Sequence, residues 1–96
     1  MSEPKEISVG EILSSARKKK RLRYKKISSE LNIEESYLIA LEEENYSFIP
    51  GGEAYVKGFL RSYSKKLNLD PEMIIRSFVA SKGKSIKKDI NPQSLS

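Results

Sequence analysis

Apolar residues recur every three or four positions in short stretches, and turn-forming residues break those stretches before any of them grows long. Val9, Ile12, Leu13 and Ala16 make the first stripe, Tyr24, Ile27 and Leu31 the second, and Ile33, Tyr37, Leu38 and Leu41 the third. That spacing is the signature of helices burying one face each. Three short helices with connections this tight must cross at steep angles, the layout of a helix-turn-helix.

Local signals set the boundaries. Ser8 followed by Glu11 predicts a capping box for a helix from about Val9 to Lys20, and Asn32 suits the turn ending the second helix. Residues 45–52, "NYSFIPGG", must turn, and Tyr46, Phe48 and Ile49 predict a connection lying on the core. Glu53 to Leu67 is helical again, with Val56, Leu60, Tyr63 and Leu67 on one line. Asp70-Pro71-Glu72 then combines a cap, a fixed first turn and an acid at the positive end of a helix dipole. It leads a fifth helix through Met73, Ile74, Ile75, Phe78 and Val79 to about Ser81.

The expected fold is therefore all-α with five helices and one small core, the size that 96 residues allow. Residues 1–7 read as a flexible N-terminus, 8–81 as the helix-turn-helix domain, and 82–96 as a basic disordered tail without sustained periodicity.

Function classes narrow by absence. The chain has no cysteine and no histidine, which removes thiolate chemistry and the commonest general base and metal ligand. No Gly-rich phosphate loop is present, so neither an enzyme nor a cofactor, metal or small-molecule site is expected. No apolar run approaches the ~20 residues of a membrane span, so this chain alone reads as soluble.

Charge is segregated. "RKKKRLRYKK", residues 17–26, holds eight cations, whereas residues 27–53 contain acids and no Lys or Arg. The basic block either solvates the first helix or meets an anionic partner, acidic lipid or nucleic acid. The acids Glu34, Glu35, Glu42, Glu43 and Glu44 of the third helix either form a solvated face or repel nucleic acid and attract a basic partner. A carboxylate ~10 Å from a phosphate costs on the order of 0.4 kcal/mol in water-like surroundings. Several acids facing many phosphates would cancel much of the ~1–3 kcal/mol of one bidentate base contact. No specific nucleic acid is expected for this helix.

On the fourth helix, ~100° per residue places Leu60, Tyr63 and Leu67 within about 40° of Val56, with Phe59 near −60° and Tyr55 near −100°. Tyr55 and Phe59, bordered by Ser62 and Lys66, are either packed beneath the "NYSFIPGG" linker or are interface anchors. Tyr63 is ambiguous between core and interface. Gly58 permits close approach of another helix, internal or foreign.

The order "VGEILSSARKKKRL", "ISSELNIEESYLIALEEENYSFIPGG", "YVKGFLRSYSKKLNLDPEMI" resembles the cytoplasmic helix-turn-helix domain of the RodZ cell-shape family, related to the Xre, phage-repressor-like fold. The resemblance covers about residues 8–79. It implies a noncatalytic adaptor that binds the actin-like filament protein MreB through the fourth helix, with Tyr55, Phe59, Ser62, Tyr63 and Lys66 as contact residues. It also implies a membrane connection through a span absent from this chain, at the cytoplasmic face of the bacterial inner membrane. The tail cations Lys82, Lys84, Lys87 and Lys88 would then be juxtamembrane. The alternative is a DNA-binding transcriptional regulator. Two features depart from the family pattern: Arg21 and Arg23 stand where a Gly and then a Ser or Thr usually precede the second helix, and Gly51-Gly52 inserts one residue before the fourth.

Overall fold

The computed structural model describes residues 7–81, so the expectations for 1–6 and for the tail 82–96 lie outside the described residues. Five α-helices follow in order: α1 (Val9–Lys19), α2 (Tyr24–Leu31), α3 (Glu35–Glu43), α4 (Gly52–Lys66) and α5 (71–81). A 3-10 turn, Tyr46–Phe48, separates α3 from α4, and the described residues form no strand. The all-α, five-helix helix-turn-helix architecture is the one expected.

The caps explain where the elements begin. Ser8 Oγ accepts from the Glu11 amide and the Glu11 carboxylate accepts from the Ser8 amide, both at 3.2 Å. Asp70 Oδ1 accepts from the Glu72 amide at 3.1 Å to start α5. By contrast, Arg23 and Glu34 precede α2 and α3 without a side-chain cap.

Four helices end alike. A residue in the left-handed region, Arg21, Asn32, Glu44 or Asn68, follows each of α1 to α4. The amide after it returns to the carbonyl five residues back: Leu22 to Arg17, Ile33 to Ser28, Asn45 to Ala40 and Leu69 to Ser64. This closure satisfies carbonyls that a helix end leaves orphaned and reverses the chain sharply.

Gly51 caps α4 with φ 97°, and a Cβ there would lie 2.4 Å from the Tyr55 ring. Backbone conformation and contact both demand glycine at this position.

α3 is the central element, packing against α1, α2, α4 and the 3-10 turn. Leu13, Ile27, Leu38, Leu41, Leu60, Tyr63, Ile74 and Phe78 are essentially inaccessible. Ile33 precedes α3 but is still buried. Within the linker, Ile49 is buried and the Tyr46 ring meets Phe78 edge-on at 4.8 Å. Phe48 corrects the expectation of a linker wholly on the core, because it is 53% exposed. Three residues of a single tight turn cannot all point inward.

Candidate functional site

Four aromatic side chains form a continuous run across α3, the 3-10 turn and α4. Tyr55 meets Phe59 edge-on at 6.1 Å, Phe59 stacks on Tyr37 at 5.7 Å, and Tyr37 meets Phe48 edge-on at 6.1 Å. The middle of the run is half-buried, whereas Tyr55 and Phe48 at its ends are 58% and 53% exposed. Phe59 packs against Tyr37 and still leaves an edge to solvent. Aromatic rings presented this way offer large apolar area at small cost in side-chain entropy.

The five contact residues read from the sequence do not stay together. Tyr55 and Phe59 belong to the run, and Ser62 is half-buried beyond it. Tyr63 is fully buried and its hydroxyl donates to Glu42, so ring and hydroxyl are both spent inside the domain. Its assignment as an interface residue is thereby corrected. Lys66 pairs with Glu30 of α2, which also takes Lys26 at 3.2 Å. Those hydrogen bonds, from Lys66 first and Lys26 second, hold the Glu30 carboxyl below its ordinary value. Tyr37 and Phe48 are not legible in the sequence as members of the run, because their spacing assigns them to the core. Their signal was local: Tyr37 adjoins the fully buried Leu38, and Phe48 shares a tight turn with Tyr46 and Ile49.

The acidic face of α3 is also divided. Glu34, Glu35 and Glu43 are exposed. Glu42 is not: its side chain is 5% exposed and receives Arg17 Nε at 2.7 Å, Arg17 Nη2 at 3.2 Å, Tyr24 Oη at 2.8 Å and the Tyr63 hydroxyl. Arg17 in turn donates Nη1 to the Leu22 carbonyl at 3.2 Å, and its guanidinium carbon lies 4.2 Å from the centre of the Tyr24 ring. Glu44 accepts from the Gly10 amide at 2.7 Å. The five acids therefore do not form one outward face, and Arg17, unlike the lysines after it, is turned inward to neutralise Glu42.

The electrostatics follow from this geometry. Burial pushes the Glu42 carboxyl up, but hydrogen bonds from Arg17, Tyr63 and Tyr24, with the Arg17 charge, outweigh it and hold Glu42 below the ordinary carboxylate range. Burial and then the bond to Glu42 push the Tyr24 phenol up to about 12 and Tyr63 higher. Glu42 is locked in its ionised form as a clasp between four helices. Among the described residues, no group of three or more acids could hold a metal ion.

Comparison with known proteins agrees with the fold. A family model described as "Helix-turn-helix domain" matches residues 12–74. The "Uncharacterized membrane protein YmfM" of Bacillus subtilis (strain 168) is 43% identical over 42 residues, covering 44% of this chain and 14% of that protein. The match thus spans about one seventh of that relative's length. No solved structure matches. No described helix is long and apolar enough to cross a membrane.

Proposed function

The chain belongs to the helix-turn-helix domain family whose model spans residues 12–74, and from that premise we propose that it is a noncatalytic adaptor in bacterial cell-shape determination. It docks an MreB-like actin filament subunit through α4 and serves a longer, membrane-anchored protein at the cytoplasmic face of the inner membrane. The observation that carries this reading is the aromatic run Tyr55–Phe59–Tyr37–Phe48, exposed at both ends on a rigid helical scaffold. Supporting it are the resemblance of the α4 segment to the RodZ family and the match to a relative named as a membrane protein. No catalytic role is proposed, because the best-built polar cluster keeps its carboxylate ionised and fully bonded.

A base-reading role has less support. Glu34 and Glu35 stand exposed at the start of α3, where base edges would be met, and α3 carries no Arg, Lys, Asn or Gln.

Co-sedimentation with MreB filaments tests the proposal. Tyr55→Ala with Phe59→Ala should leave helical circular dichroism intact and weaken filament binding by roughly tenfold or more, as expected for the loss of aromatic anchors worth ~2 kcal/mol. Unchanged binding by a folded double variant refutes the site.

A further inference from the structure

Lys18, Lys19 and Lys20 close α1, and none of them takes part in the ion pairs seen among the described residues. They border an open groove between α1 and the α4–α5 connection, lined on its apolar side by Ile12, Ala16, Leu67 and Leu69. Ile7 stands at its edge and is 64% exposed, more than any other large apolar side chain among the described residues. One acid, Glu11, also lines the groove. Its carboxylate is engaged by the Ser8 amide at 3.2 Å, seven residues and roughly 10 Å along the helix from Lys18.

We infer that this face seats on an anionic phospholipid bilayer, with Lys18, Lys19 and Lys20 at the headgroup phosphates and Ile7 entering the apolar layer beneath them. The complementarity is double, in charge and in apolar surface. A bilayer of acidic lipids offers negative charge and hydrocarbon within a few ångströms of each other, and lysine stems can lie along apolar surface while their ammonium groups reach outward. A nucleic acid duplex would satisfy the lysines but would gain nothing from Ile7 or from the apolar side of the groove. The rest of the sequence matches the groove on one count at most: 82–96 would set four lysines against a lysine rim, and 1–6, although it carries Glu3 and Glu6, has no apolar run for the groove. The groove shares no residue with the aromatic run, so the inference goes beyond the filament reading and does not rest on it.

Flotation of the 96-residue chain with vesicles tests it. The protein should float with vesicles of mixed phosphatidylglycerol and phosphatidylcholine, less so at high salt, and should stay behind with phosphatidylcholine alone. Lys18→Gln, Lys19→Gln and Lys20→Gln together should reduce partitioning by roughly tenfold or more. Ile7→Ser, with all lysines kept, should reduce it several-fold. All these positions are exposed, and circular dichroism checks that each variant folds. Tyr55→Ala with Phe59→Ala should float like the parent, which separates this face from the filament site. No flotation with phosphatidylglycerol, or flotation indifferent to Ile7→Ser, overturns the inference. Tighter capture by a mixed-sequence duplex than by the vesicles overturns it as well.

Discussion

Glu42 and Arg17 form a two-pronged ion pair, Nε to Oε2 at 2.7 Å and Nη2 to Oε1 at 3.2 Å, with side chains only 5% and 13% exposed. Tyr24 and Tyr63 complete the set of donors to the same carboxylate. One residue of α3 thereby fixes α1, α2 and α4 around it, and the aromatic run on α3 and α4 inherits that rigidity.

Removing one partner of such a pair leaves a buried charge without compensation. Glu42→Ala should destabilise the domain by about 3–5 kcal/mol, with Arg17 stranded against the Tyr24 ring. Glu43→Ala, exposed and one residue along, should fall within about 0.5 kcal/mol of the parent. Urea denaturation of the two variants side by side provides the measurement, and equal losses would show that Glu42 is not the clasp.

The same carboxylate predicts an acid transition. Its pKa in the folded state lies below the ordinary value of 4.5, so its contribution to stability is fully present above that value. The contribution is lost as pH falls through the folded-state pKa. Stability measured by urea denaturation should decline below about pH 4.5, and the decline should be shallower in Glu42→Gln, which has no proton to take up.

The tyrosines predict the alkaline limb. Tyr24, at about 12 in the folded state, and Tyr46 and Tyr63, also raised, favour the neutral phenol chiefly through burial. Their contribution is fully present below the ordinary phenol value of 10.0 and is lost as pH rises through the folded-state values. Tyrosinate absorbance should show these three groups ionising late and together with loss of helical signal.

Most of this architecture was legible from residue spacing, because caps and apolar stripes act locally: Ser8 with Glu11, Asn32, Asp70-Pro71 and the α4 line all behave as their patterns require. The polar clasp was not legible. "LEEEN" reads as three equivalent acids, yet Glu42 falls four residues after Leu38 on the buried line while Glu43 falls outside it. The hint lay in Leu38, Leu41 and Glu42 sharing a face, and in tyrosines on the apolar stripes of two other helices. The aromatic run was half legible, since Tyr55 and Phe59 share one helix whereas Tyr37 and Phe48 join them only through tertiary packing.

Two glycines make opposite predictions. A Cβ on Gly10 would lie 2.1 Å from the Glu42 carbonyl oxygen, so α1 approaches α3 there as only glycine allows. Gly10→Ala should cost about 1–3 kcal/mol or more. A Cβ on Gly58 would meet nothing within 4 Å among the described residues, so no described helix uses that gap, and Gly58→Ala should stabilise by about 0.8–1.0 kcal/mol. Thermal denaturation should move in opposite directions for the two, and loss of filament binding in a more stable Gly58→Ala would place the partner's backbone against Gly58.

The α1–α2 turn holds stability in reserve. Arg21 adopts φ 56° at the position where the Leu22 amide returns to the Arg17 carbonyl and the Arg21 amide to Lys18. A non-glycine residue held left-handed costs roughly 1–2 kcal/mol, and Arg21 is exposed with no described ion pair to offset this. Two residues on, Arg23 has the extended backbone of an N-cap, φ −103° and ψ 152°, but supplies no side-chain cap. Arg21→Gly should raise stability by about 1 kcal/mol. Arg23→Ser, whose hydroxyl oxygen can accept an amide of the first turn of α2, should add about 0.5–1 kcal/mol. Because one relieves backbone strain and the other satisfies an orphan donor, the double variant should raise the urea midpoint by close to the sum of the two. A drop in stability for Arg21→Gly would mean that the arginine side chain contributes a contact outweighing the strain of its own backbone.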